Sequence, residues 1–199
     1  MTENNHTTSS HTWRVIDIII AAVLAVAIGL IFWIWNTVGY AWYTAATPGL
    51  GGIATGIWLL GGVVGGLVIR KPGAAIFVEV VAACVSTAIG NQWGIGTVYS
   101  GLAQGLGAEL IFLAFAYKRF GLVPATLAGV GAGVGAFILE LFTSANASKA
   151  LAFNITYLST LVISGAILAG VLGYYLVAAL ARTGALDRFA VGREQRAVV

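Results

Sequence analysis

Three glutamates, Glu79, Glu109 and Glu140, lie inside long apolar runs. A charged group near the centre of a bilayer costs on the order of 3 kcal/mol on insertion scales, so such residues face a neighbouring helix or a cavity. No Lys, Arg or His shares their runs. The polar company is neutral: Thr87, Asn91, Gln92, Tyr99 and Gln104. Two chemistries follow. In one, each carboxyl is protonated and bonds an adjacent helix. In the other, the acids form an acidic, aromatic-lined cavity for a ligand with a cationic or hydrogen-bond-donating face. Glu79 stands about seven residues into its run, roughly 10 Å deep at 1.5 Å per residue. Glu109 is as deep from the opposite end, and Glu140 lies close to the end of its run. Gln104 and Glu109 are five apart on one run, within roughly 140° around a helix. Both can border one cavity, with Gln104 shallower. Glu109 can instead tie its helix to the preceding one through Glu79.

Catalytic chemistry finds little support. The only histidines, His6 and His11, sit in a polar N-terminal stretch. Asp17 stands at the edge of the first run beside Arg14 and reads as its interfacial partner. No GxxxxGK[ST] phosphate loop occurs, so the chain hydrolyses no nucleotide itself. Cys84, the sole cysteine, forms no internal disulfide or Cys/His metal spacing and reads as a small buried apolar residue. The expectation is a non-enzyme with no cofactor and no metal.

The elements that must position these acids are membrane helices. Of 199 residues, 59% are hydrophobic and 9% charged, against about 25% charged in soluble domains. Six runs approach the roughly 20 apolar residues of a span: 15–35, 50–69, 72–89 (Pro72 at its first turn), 96–117, 124–142 and 153–180. The predicted fold is therefore an all-α integral membrane protein, a six-transmembrane-helix bundle. Residues 1–12, rich in Ser, Thr and Asn, read as a disordered tail without the basic region of a secretory signal. Residues 13–181 form the membrane domain, and 182–199 a C-terminal tail.

Arg14, Arg70, Lys71, Lys118, Arg119, Arg182, Arg188, Arg193 and Arg196 fall on one side, and only Lys149 on the other. Basic short loops stay inside, so both termini are expected to be cytoplasmic. The scattered basic residues form no patch for nucleic acid. Trp42, Tyr43 and Trp93, in the opposite loops, read as an interfacial belt or as a lid over an outward-facing cavity. Glycines four apart let helices approach closely in lipid: Gly61/Gly65, Gly62/Gly66, Gly101/Gly105, Gly129/Gly133 and Gly131/Gly135.

Residues 69–75 read IRKPGAA, 79–83 EVVAA, 104–109 QGLGAE, 140–142 ELF and 164–173 SGAILAGVLG, with Gly90-Asn91 closing the third run. Together with Gly56-Ile57-Trp58, this pattern resembles the YkoE-type substrate-binding (S) subunits of energy-coupling factor transporters, over nearly the whole membrane part. The resemblance implies an S subunit that takes up thiamine or its hydroxymethylpyrimidine precursor from outside. Such subunits dock on a transmembrane coupling subunit driven by two cytosolic ATPase subunits, and topple in the bilayer to release cargo. Small residues on the first helix form the docking face in such subunits, which Ala21 and Ala25 match; ordinary helix packing is the other reading of this pair. Expected binding residues are Trp58, Glu79, Asn91, Tyr99, Gln104, Glu109 and Glu140. Carboxyls and amides suit an aminopyrimidine edge, and Trp58 or Tyr99 suits a ring or the thiazolium cation. A carboxylate-bearing vitamin such as folate or biotin would call for Arg or Lys instead. Members of the family carry an acid shortly before the GIW of the second run. Here 50–55 read LGGIAT, which leaves the choice between the two ligands open. The alternative is a self-sufficient proton-coupled carrier of a small cation, with Glu79 and Glu109 relaying protons.

Overall fold

The computed structural model describes residues 12–45 and 48–196, and the described residues form helices and turns with no strand. The expected tail, apart from Thr12, lies outside the described residues, as do His6 and His11. Helix α1 (Val15–Ala45) runs ten residues past its expected end at Trp35. Apolar character fades after Trp35, but no proline interrupts the chain before Pro48, so the helix continues. Residues 50–69 are one rod of two kinds: a 3-10 stretch, Leu50–Leu59, then α2 (Leu60–Ile69). Such long 3-10 stretches are uncommon. Gly51, Gly52 and Gly56 weaken the α-helix here, and the last long helix takes over its backbone bonds. The Ser164 hydroxyl donates to the Ile53 carbonyl (2.6 Å) and accepts from the Gly56 N–H (3.0 Å), while Thr160 donates to the Gly49 carbonyl (2.9 Å).

Arg70, at φ 57°, ends α2 in the left-handed region. Pro72 lies in the turn rather than at a first helical position, and α3 (Ala74–Ile89) starts two residues later, behind Gly73 at φ 85°. Helix α4 (Gly96–Ala114) stops short of the expected 117 because Ala116 and Tyr117 are left-handed (φ 50° and 53°), which a right-handed helix cannot absorb. Helix α5 (Leu122–Thr143) holds Pro124 in its first turn, where the missing N–H costs no helical bond. Helix α6 (Leu151–Ser164) passes through a π-helical stretch, Gly165–Val171, into α7 (Leu172–Arg182), and α8 (Ala190–Arg196) follows. Four stretches are long and apolar enough to cross a membrane: Val15–Tyr43, Leu50–Ile69, Leu122–Thr143 and Leu151–Arg182. Helix α3 has 16 residues and α4 has 19.

The glycines set how closely these rods lie. A Cβ on Gly65 would fall 2.6 Å from the Val78 side chain of α3, and one on Gly101 2.7 Å from Ala83. On α5 the two pairs serve opposite faces. Gly131 and Gly135 meet the α4 backbone at Gly107 and Ala103, whereas Gly129 meets Gly165 and Gly133 faces Leu161. Two expectations are corrected by this packing. Ala21 and Ala25 are fully buried, in one stripe with Ile28 and Phe32. They face the bundle and present no docking surface; the outward face of α1 carries Val23, Val26 and Leu30. Cys84 is exposed on the outer face of α3, not buried.

At the end carrying the basic loops, Asp17 is fully buried and accepts from Arg14 (2.8 Å), as expected, and from Lys71 (2.5 Å). The C-terminal segment folds back onto this end: Leu186, Phe189 and Val191 join the core, and Glu194 pairs with Arg70.

Candidate substrate-binding cavity

At the opposite, aromatic end, a cavity of about 310 Å³ opens between the 3-10 stretch, α1, α3, α4 and α5. Glu79 forms its floor. Its side chain is fully buried, and one carboxyl oxygen accepts the Gly62 N–H at 2.5 Å. Gly62 lies in the first turn of α2, where backbone N–H groups lack helical acceptors and carry the positive end of the helix dipole. Only glycine permits this approach, since a Cβ on Gly61 would lie 2.7 Å from the same oxygen. The other oxygen faces Gln104. With its amide oxygen accepting from Ser100 (3.0 Å), Gln104 donates to the Trp58 carbonyl (3.0 Å) and to Glu79 (3.2 Å).

The walls are aromatic. Trp58 donates its indole N–H to Asn36 (2.8 Å), and Asn36 donates to Ser86 (2.9 Å), so the ring is held by a buried polar chain. Trp93 stands edge-on to Trp58 at 5.4 Å and to Tyr40 at 5.3 Å. Glu140 accepts from the Tyr157 hydroxyl (2.6 Å), and Tyr43 packs edge-on to Tyr157. Tyr99 lines the mouth and is 58% exposed. Thr55 lines the cavity from the 3-10 stretch, and its buried hydroxyl has no partner among the described residues. The lining therefore holds two carboxyls, several hydroxyls and amides, and no Lys, Arg or His among the described residues. It suits an aromatic ligand bearing positive charge or N–H donors.

Five of the seven residues singled out in the sequence come together here: Trp58, Glu79, Tyr99, Gln104 and Glu140. Asn91 and Glu109 do not line the cavity. The Asn91 side-chain amide oxygen accepts from the backbone N–H groups of Trp93 (2.9 Å) and Gly94 (2.8 Å) and from the Thr97 hydroxyl (3.1 Å), which fixes the turn that carries Trp93. Glu109 sits at the basic end. It accepts from the N–H groups of Gly73 (2.7 Å) and Ala75 (2.9 Å) at the start of α3, and from the Tyr117 hydroxyl (2.6 Å). It does tie α4 to α3, through the helix start rather than through Glu79. Burial and the adjacent Glu109 carboxylate push the Tyr117 hydroxyl above its ordinary pKa, which keeps it a donor. Of the loop aromatics, Tyr43 and Trp93 line the cavity, whereas Trp42 is exposed outside it. Asn36, Thr55 and Tyr157 were not anticipated. Asn36 falls just past the expected end of the first span, and hydroxyls inside apolar runs carry no periodic signal.

A family model described as the permease component of an ABC-type cobalt transport system matches residues 16–135. YkoE of Bacillus subtilis (strain 168), a candidate HMP/thiamine permease, is 36% identical over 183 residues, 92% of each chain. The crystal structure of an S-component of an ECF transporter superposes with a TM-score of 0.82 at 34% identity, covering 93% of this chain and 94% of that one. Sequence, cavity and fold thus agree: the chain belongs to the YkoE-type substrate-binding S components of energy-coupling factor transporters, multi-pass proteins of the cell membrane.

Proposed function

We propose that the protein captures thiamine or its hydroxymethylpyrimidine precursor in the aromatic-end cavity. Delivery inward then depends on a transmembrane coupling subunit and two ATPase subunits, and the chain performs no catalysis of its own. The observation that carries this reading is the lining itself, in which Glu79 and Glu140 supply two carboxyls beneath Trp58 and Trp93, with no Lys, Arg or His among the described residues. The Glu79 oxygen that meets Gln104, together with the Gln104 amide, suits the donor and acceptor edge of an aminopyrimidine. Trp58, Trp93 or Tyr99 stacks on a ring, and Glu140 with the aromatic faces holds a thiazolium cation. Asn91 and Glu109 act one step back, by positioning the Trp93 turn and the start of α3.

In this reading α3 and α4 also cross the bilayer, giving six spans. Residues 13–181 make the membrane domain, and the basic end with both termini faces the cytoplasm. The cavity then opens outward, where a vitamin is met first. Cobalt, named in the description of the matching family model, finds no donor set: no group of three or more His, Cys, Asp or Glu converges among the described residues. A self-sufficient proton-coupled carrier is not favoured by an S-component fold.

The test is calorimetry and thermal shift on the detergent-purified protein. Thiamine or hydroxymethylpyrimidine should bind and raise the melting temperature, and biotin and folate should not. No binding of either pyrimidine compound would overturn the proposal. In liposomes the protein alone should not accumulate ligand under an imposed proton gradient; accumulation would restore the carrier reading.

A further inference from the structure

A second crevice, of about 180 Å³, lies at the basic end, remote from the ligand cavity. Its walls come from the end of α2, the turn before α5, and α7 and α8. We propose that it binds the phosphate headgroup of an anionic phospholipid, with Arg70 and Lys118 as the recognising cations.

The first argument is position. The apolar stretch Leu50–Ile69 ends one residue before Arg70, and Leu122–Thr143 begins one residue after Gly121 of the crevice wall. The crevice therefore sits where hydrocarbon gives way to headgroups. Its apolar floor, from Leu67 and Val177, continues into the spans. Basic pockets between membrane helices at this level are a recurring way to hold acidic lipids.

The second argument is that an oxyanion already occupies the fork. Arg70 points both terminal nitrogens at the two carboxyl oxygens of Glu194 (2.5 and 2.8 Å). The guanidinium is held in place from behind. Its Nε donates to the Leu67 carbonyl (3.1 Å), and its Cζ lies over the Phe120 ring, 4.9 Å from the ring centre. This geometry accepts a carboxylate or a phosphate equally well. Glu194 is a weakly committed occupant, 62% exposed and carried on a seven-residue helix, too short to be stable alone. Lys118 lines the same crevice and makes no ion pair among the described residues. Two cations thus line a crevice that holds one exchangeable anion, and the start of α5 adds the positive end of its dipole. A phosphate has the charge to engage both cations, which one carboxylate does not.

The experiment uses the full chain, purified and delipidated, with native mass spectrometry and melting curves in added lipid. Phosphatidylglycerol should remain bound and raise the melting temperature, and phosphatidylcholine should not. Lys118→Ala should weaken phosphatidylglycerol binding about fivefold, the effect of one basic residue at a membrane surface. Arg119→Ala removes the same charge from an exposed neighbour outside the crevice, and should leave binding within twofold of the parent. Glu194→Gln should tighten lipid binding, because the competing carboxylate is gone. Three results would each overturn the proposal: equal effects of the two lipids, equal losses in the Lys118 and Arg119 variants, or weaker lipid binding by Glu194→Gln. If inorganic phosphate alone reproduces the full stabilisation, the crevice is a small-anion site and the lipid assignment fails. None of these outcomes depends on what fills the aromatic-end cavity.

Discussion

Glu109→Gln separates a structural acid from a ligand-binding one. The Glu109 carboxylate accepts two short backbone bonds at the start of α3 and one from Tyr117. A glutamine keeps a single acceptor oxygen and turns an NH₂ group towards donors. One charge-assisted set is lost, worth about 1.5–3 kcal/mol, and a buried donor is left facing donors, costing about 1–3 kcal/mol more. Partial relaxation makes about 3 kcal/mol a fair expectation. For a chain of this size that lowers the melting temperature by roughly 6–12 °C. Affinity for thiamine or hydroxymethylpyrimidine should change less than about twofold, under 0.5 kcal/mol, because the carboxyl lies outside the cavity lining. The assay is a melting curve with and without ligand, paired with calorimetry well below the transition. An unchanged melting temperature together with a tenfold loss of affinity would refute the reasoning and return Glu109 to the ligand.

Glu79→Gln should lower both stability and affinity, since one oxygen holds the start of α2 and the other faces the cavity; a loss of stability alone would remove Glu79 from the ligand site. Thr55→Val removes a buried hydroxyl without a partner, so stability should hold or rise, while affinity falls several-fold, about 0.5–1.5 kcal/mol for one hydrogen bond; unchanged calorimetric affinity for both pyrimidine compounds would rule out a contact. Ala25→Trp should destabilise the bundle by at least 1–3 kcal/mol through overpacking, whereas Val26→Trp on the outward face should melt like the parent; an Ala25→Trp protein with parental melting that no longer co-purifies with its coupling subunit would reinstate the docking role. In a Cys84→Ala background, an impermeant thiol reagent on intact cells should label Ala45→Cys and not Ala185→Cys; labelling of both would invalidate the proposed orientation.

The helical class was legible because apolar length is read directly from sequence, and glycine pairs marked the close approaches between rods. Boundaries slipped where a non-local partner decided the backbone. The 3-10 stretch depends on Ser164 and Thr160, more than a hundred residues away. The inward turn of Ala21 and Ala25 could not be read from their spacing either. Small residues four apart permit close packing on whichever face they occupy, and only the position of α3 decides that face. The side of Cys84, on α3 itself, follows from where α1, α2 and α4 lie against that helix.

The acids show this limit most clearly. Glu79 and Glu109 look alike in sequence, each buried in an apolar run without a base nearby. In the fold both accept backbone N–H groups at the start of another helix, Glu79 at α2 and Glu109 at α3. Helix starts are the one place in an apolar bundle where unpaired donors and a positive dipole accumulate, so they supply what an absent Lys or Arg would otherwise provide. What differs is the remaining capacity. Tyr117 occupies the oxygen of Glu109 that also meets Gly73, and Ala75 occupies the second. Glu79 spends one oxygen on Gly62 and directs the other to Gln104 in the cavity lining. The start of α2 lies within the stretch Leu50–Ile69, because the 3-10 segment precedes it. The break in that rod therefore places a half-satisfied carboxyl at the floor of the cavity. An unbroken α-helix over 50–69 would pair the Gly62 N–H within its own turn and remove the contact that holds Glu79 there.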